Sequence, residues 1–337
     1  MHQKKFQALK VSADCDVSLY LQGEMHMNYS CEIDASWDRA VEVIQGSLAP
    51  NSGLSRLTRQ SWASPISNKD FAAAFGLTGI PTAVVVRAAQ HFDPSIDNLD
   101  RALSQMGARL ATIVASVYFS TQEILQGSQG DKSPEAALRY LINHVEAGYH
   151  VGMNSEALGP ELGMMIGFSL AIGPAILVSR AARGVENPRA FLDVSTLRHP
   201  FLSVFGCEPH QVSSLALQRL GYGSDLASAA AIAFARCPIA TTDRDSEVAL
   251  WRAGSDCISA FLRGQRTATR AGSLASFSEL LPPAEEQECS THLTMLYEQI
   301  DEIREKGSTW SWHLSTSYTN ERPDVVDSRK ESNVSAV

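Results

Sequence analysis

Histidine supplies both metal ligands and proton transfer near neutral pH, and this chain carries nine. His144 and His150 lie in a helical pattern whose apolar residues, Leu138, Leu141, Ile142 and Val145, recur at i, i+3, i+4 and i+7. That spacing leaves His144 off the apolar stripe, so both read as edge or surface histidines. His210 falls two residues into a helix that starts at Glu208-Pro209, near its positive end. It reads as a neutral structural histidine making a buried hydrogen bond. Asp243-Arg244-Asp245 and Glu285-Glu286 are charge pairs in loops and read as solvated surface. The six cysteines, Cys15, Cys31, Cys207, Cys237, Cys257 and Cys289, stand singly with no C-x-x-C pair, which leaves a zinc knuckle or a disulfide framework without support. There is no G-x-S-x-G elbow and no G-x-x-x-x-G-K-[ST] loop. Gly148-Tyr149-His150-Val151-Gly152 lacks the glycine spacing of a phosphate loop.

The elements that would position these residues are mostly helical. Asp93 to Asp97 is a loop leading into a helix with Ile96, Leu99, Leu103 and Met106 on one side. Gly107 breaks it, and a second helix carries Leu110, Ile113, Val114 and Val117. Gly127 to Lys132 is a polar loop. Ser133 caps the next helix, with Pro134 at its first position, where a missing N–H costs nothing. The helix from Glu208-Pro209 turns Val212, Leu215, Ala216 and Leu220 inward and ends at Gly221. Leu226 to Ala235 and Val248 to Leu262 complete the set, the latter stopping at Gly264. Thr82 to Ala89 is a strand by its Val84-Val85-Val86 content and a helix by its flanks.

Both ends differ from this middle. Val17, Leu19 and Leu21, then Met25, Met27, Tyr29, Cys31 and Ile33, alternate with polar neighbours and read as a β-hairpin turning near Gly23. Trp37 to Leu48 reads as a short helix with Val41 and Ile44 inward, and Pro50-Asn51-Ser52-Gly53 as a linker. Ser290 to Lys306 is an amphipathic helix with Leu293, Leu296, Tyr297, Ile300 and Ile303 inward and a Glu302–Lys306 pair. It ends at Gly307 and packs on the domain or on a partner helix. Residues 313–337 have little to bury and read as disordered.

With 337 residues, 44% apolar and 19% charged, the chain has the composition of a globular protein. Its net charge of −9, without a Lys/Arg cluster, argues against nucleic-acid binding. Leu162 to Ser179 is uncharged over 18 residues, only just the length of a membrane span. Its glycines and Pro174 favour a buried core helix, the alternative being a peripheral membrane anchor.

Several of these segments in order resemble one family. Thr82-Ala83-Val84-Val85-Val86-Arg87-Ala88-Ala89-Gln90-His91 is similar to a Thr-Ala-x-x-Leu-Arg-Leu-Ala-Asn-Ser pattern. Ser95-Ile96, Ala102-Leu103 and Met106-Gly107 follow at the right spacing. Phe205-Gly206-Cys207-Glu208-Pro209-His210, with Ser214 and Leu217, is similar to Phe-Gly-x-x-His-x-x-x-Gly-x-x-Leu. Arg219-Leu220-Gly221-Tyr222-Gly223 is similar to Arg-Trp-Gly-Leu-Pro. Between them, Gly167-Phe168-Ser169-Leu170-Ala171-Ile172-Gly173-Pro174 keeps the frame of Gly-Leu-Leu-His-Asp-Ile-Gly-Lys. These are the marks of HDOD domains, relatives of the HD metal-dependent phosphohydrolases, and the resemblance covers roughly residues 54–265. The His-rich end of the family's following helix is replaced here by Ala233-Phe234-Ala235-Arg236.

The resemblance implies a mainly α, HD-like helical bundle, to which the sequence adds a small N-terminal hairpin. Three parts are expected: residues 1–50 with the hairpin and short helix, the helical domain at 54–265, and 266–337 with the last helix and tail. It also makes Thr82 to Ala89 a helix. HD enzymes hold their metal through histidines and an adjacent His-Asp pair; here that pair is Leu170-Ala171, and no histidine of the chain is followed by aspartate. No catalytic, cofactor-binding or metal-ligating residue is assigned. The expected protein is a non-enzymatic, cytoplasmic, bacterial signal-transduction protein. It would bind a signalling partner or a small signal molecule, with the hairpin and the last helix as docking or dimerising elements. The competing expectation is a phosphohydrolase with rearranged ligands, His144, His150 and His210.

Overall fold

The computed structural model describes residues 32–127, 133–180, 192, 200–234, 247–265 and 286–313. Twelve helices and no strand occur among them. They are α1 (Glu32–Ser47), α2 (Ser52–Ala63), α3 (Asn68–Phe75), α4 (Thr82–Gln90), α5 (Leu99–Gly127) and α6 (Ser133–Met153). Then come α7 (Gly159–Ser179), α8 (Pro200–Phe205), α9 (Pro209–Leu220), α10 (Gly223–Phe234), α11 (Glu247–Leu262) and α12 (Glu286–Lys306). The expected hairpin at 15–34 lies outside the described residues, apart from its last positions, which are the first turn of α1.

The uncharged segment forms α7, and α7 is the axis of the bundle. It lies along α6 and also packs on α5, α9, α10 and α11. From Gly163 to Val178 every residue except Leu170 is buried. A helix that is apolar all round belongs in a core or a membrane, and here protein covers it, as the sequence led one to expect. Glycines let α6 and α7 approach closely. A Cβ on Gly148 would collide with the Gly163 carbonyl, one on Gly152 with the Gly159 carbonyl, and one on Gly167 with the His144 carbonyl. The glycines of the 148–152 segment therefore serve helix packing, spaced one turn apart on a single face.

Pro174 sits inside α7 and has no N–H to give. The preceding amide, Gly173, donates instead to Ser213 Oγ of α9 at 3.1 Å, and a Cβ on Gly173 would strike the Pro209 carbonyl. α9 is held at both ends. Glu208 and Gln211 form a capping box, and Gly221 closes the helix at φ 95°. Gln211 Nε2 also donates to Ser36 Oγ of α1 at 2.9 Å.

Several expectations change on this scaffold. Val41 is 37% exposed, and α1 instead buries Ala40 and Ile44, with Leu48 just past its end, against α5 and α9. Spacings of four, and not Val41 with Ile44, make its inner face. Pro50–Gly53 is not a free linker, because Asn51 caps α2: its Oδ1 accepts from the Leu54 amide at 2.9 Å and its Nδ2 donates to the Thr78 carbonyl at 2.9 Å. Thr82–Gln90 is helical despite its valines. Val84, Val85, Ala88 and Ala89 are buried by α5, so tertiary packing overrides β-propensity. The break at Gly107 is present, with φ 77° and ψ 164° inside α5.

α12 packs on α6 and α11, burying Leu296, Ile300 and Ile303. These three side chains are thus covered within the chain, while Met295 on the same helix is 53% exposed. After Gly307 an extended strap returns along α6. The Ser308 amide donates to Asn143 Oδ1 at 2.9 Å and Thr309 Oγ1 to Glu146 Oε1 at 3.1 Å. Trp310 and Trp312 are buried and join the same continuous core as α1 to α11.

Candidate functional site

Ala171 is fully buried, and Leu170, beside it, is partly buried against the core. Neither side chain has a lone pair to offer an ion. His144 differs from its expected place at an edge: it is only 3% exposed. The apolar stripe accounts for one face of α6, but α5, α7, α11 and α12 surround this helix on several sides. The His144 Nδ1 lies 2.8 Å from the Tyr140 carbonyl, which can only accept, so this nitrogen carries the proton. Burial lowers the His144 pKa to about 4, against a small upward pull from that hydrogen bond. The imidazole is neutral at physiological pH.

His150 is half-buried at the edge of α6, with Nε2 3.9 Å from Glu146 Oε1. His210 is buried in the first turn of α9. His144 and His150 are six positions apart, which puts them on different faces of one helix. Among the described residues no group of three or more His, Cys, Asp or Glu side chains is placed to hold a metal ion. The rearranged ligand set of His144, His150 and His210 is therefore not assembled. Cys207 and Cys257 are buried free thiols, the first pushed up to about 12 by burial, so neither is poised as a thiolate nucleophile.

The surface feature with the shape of a binding site lies elsewhere. A groove of about 1040 Å³ opens between α2, the part of α5 around its break at Gly107, the end of α6, and the starts of α7 and α10. Its deep side is apolar: Met106, Leu110, Leu158 and Tyr222 are buried. Trp62 meets Tyr222 edge-on with ring centres 5.7 Å apart, and Phe92 lies 5.1 Å from Tyr149. The polar atoms of two of these rings are already bonded inward. Trp62 Nε1 donates to Thr112 Oγ1 at 3.3 Å, and the Tyr222 hydroxyl donates to Ser116 Oγ at 2.9 Å. Burial raises the Tyr222 hydroxyl far above its ordinary pKa, so it stays protonated.

Charge sits on the rim. The Arg109 guanidinium lies 5.3 Å from the centre of the Trp62 ring and 3.4 Å from Glu161 Oε2. Arg59 is exposed and forms no ion pair among the described residues. Asp225 is in the first turn of α10, where the free amides favour a carboxylate. The break at Gly107 aims Arg109 here, because the chain restarts its helix at the groove wall. Sequence reasoning found Gly107, Gly221 and Tyr222 but not the groove, whose residues come from six separated segments. The one signal available was the break at Gly221 beside Tyr222.

No family model, no curated protein and no solved structure matches this chain. The fold defines an all-α protein, and the HDOD likeness stands on the motif residues alone.

Proposed function

We propose that this chain is a non-enzymatic, cytoplasmic signal-transduction protein of the HDOD type from a bacterium. It would act as a helical platform that binds a partner protein or a small signal molecule. One observation carries the reading: where the HD frame Gly167–Pro174 would present its metal-binding pair, the chain has Leu170 and a fully buried Ala171. Catalysis of the HD type needs ligands that hold an ion and lower the pKa of its water, and hydrocarbon does neither. Two further observations support it. His144, the nearest histidine on α6, is buried and neutral. The groove between α2 and α10 offers an aromatic wall and guanidinium groups in place of a ligand cluster.

The test is elemental analysis of the purified chain beside turnover assays on generic phosphodiesters and cyclic dinucleotides, with and without chelator. The expected result is no stoichiometric transition metal and no chelator-sensitive turnover. A bound metal at one equivalent, with turnover that chelator abolishes, overturns the reading.

A further inference from the structure

We infer that Arg109 is a gate over the groove between α2, α5 and α7: its guanidinium roofs the Trp62 ring in the closed state and swings clear in the open one. The inference holds for either form of the function above, because it concerns access to the groove and not what enters.

Three elements meet at this side chain. Arg109 leaves α5, lies 5.3 Å from the centre of the Trp62 ring on α2, and reaches Glu161 Oε2 at the start of α7, 3.4 Å away. It thereby links two walls of the groove. Both ties are weak. The ion pair is long and its side chains are 45% and 38% exposed, so water competes for each partner. A cation over a half-open ring is also a modest attraction.

The floor beneath is fixed. Trp62 Nε1 donates to Thr112 Oγ1 at 3.3 Å. The same ring meets Tyr222 edge-on, and the Tyr222 hydroxyl donates to Ser116 Oγ at 2.9 Å. Thr112 and Ser116 are themselves buried in α5. Opening therefore moves the arginine and not the indole.

The backbone leaves the arginine room. Side chains of a helix lean toward its N-terminus. For Arg109 that direction holds no regular turn, because α5 breaks two residues earlier at Gly107. The nearest atom of another element to a Cβ placed on Gly107 is Glu161 Oε1, at 3.9 Å. An unbroken helix would fence the guanidinium with its preceding turn, and the break puts open space beside the tether instead. Rotamer exchange of an exposed side chain is fast, so the gate needs no backbone motion.

The test is fluorine NMR of the full chain labelled with 5-fluorotryptophan. The chain has five tryptophans, and Trp62→Phe identifies the Trp62 resonance. Its exposure is read from the shift between H2O and D2O. Raising NaCl from about 0.1 to about 1 M shortens the Debye length from about 10 Å to about 3 Å and weakens both ties, so the Trp62 solvent shift is expected to rise by about half or more. Glu161→Gln is expected to give at low salt the exposure that the unaltered chain reaches at high salt. Arg109→Gln is expected to give the largest exposure, indifferent to salt. Trp251, fully buried, is the internal control, and its solvent shift is expected to stay fixed throughout. A Trp62 exposure that ignores salt in the unaltered chain, or that Arg109→Gln leaves unchanged, overturns the gate. The salt titration uses the unaltered chain and decides the matter even where a variant fails to fold. Neither result bears on metal-dependent turnover, so the gate and the function above fail separately.

Discussion

His144 makes the folding of this protein sensitive to acid. In the folded chain its imidazole takes a proton only near pH 4, while in the unfolded chain it does so near the ordinary 6.5. Below pH 6.5 the unfolded chain therefore binds a proton that the folded chain refuses. Stability falls as pH drops from about 6.5 to about 4 and this contribution then levels off. His313, also lowered to about 4 by burial, acts in the same direction. Replacing His144 by Leu is expected to recover about 2–3 kcal/mol of the acid loss at pH 4.5, from about 1.36 kcal/mol per pKa unit. Urea unfolding at pH 7.5 and pH 4.5 measures it, and an unchanged gap between the two pH values in the variant contradicts the account. Periodicity places a histidine on one helix relative to one stripe. It cannot register that α6 is enclosed by four other helices, so the burial of His144 was not legible. For His210 the local signal, a helix start at Glu208-Pro209, was enough, and its burial in the first turn of α9 was legible.

Between elements, the closest approach is that of α6 and α7. Gly148→Ala or Gly167→Ala is expected to destabilise by about 1–3 kcal/mol, because a methyl group must be driven into a facing backbone carbonyl. Gly46→Ala is the contrasting case. That glycine is in α1 with no atom within 4 Å of an added Cβ, so the exchange is expected to stabilise by about 0.5–1 kcal/mol through helix propensity. Thermal melts of the variants give the comparison, and equal signs would discount the close-packing account. Helix existence was readable where caps and breaks are local. Pro134, the pair Glu208-Pro209, Gly221, Gly264 and Gly307 all mark real ends. Asn51 was misread because a Pro-Asn-Ser-Gly cluster looks the same as a loop and as a capped helix start, and only the bond from Asn51 to Thr78, far along the chain, decides between them. Val41 was misplaced for a related reason: Ala40 and Val41 adjoin the stripe of Ile44 on either side, and α5 and α9 select Ala40.

For the whole molecule, the strap after α12 matters most. Trp310 stacks near His91 and Tyr149, and Trp312 is buried with it. Trp310→Ala is expected to cost about 3–5 kcal/mol, the range for emptying a large aromatic site. Because the core is continuous from α1 to Trp312, chemical denaturation is expected to show one transition displaced as a unit. A separate early transition for the last helix, or a loss under 1 kcal/mol, would mean that the strap is only an adornment. The amphipathic pattern of α12 was plain, but not which surface it would cover, since Trp310 and Trp312 sit in a short irregular stretch without any period.

The bond from Thr309 to Glu146 bridges 163 positions. During synthesis, at roughly 5–20 residues per second, about 8–30 seconds pass between the emergence of these two partners. Throughout that interval the part of α6 that α12 and the strap will cover stays open, and its apolar side chains face solvent. The nascent polypeptide is thus a natural client for holding chaperones, and its yield in a cell should depend on translation speed over the stretch that encodes α12.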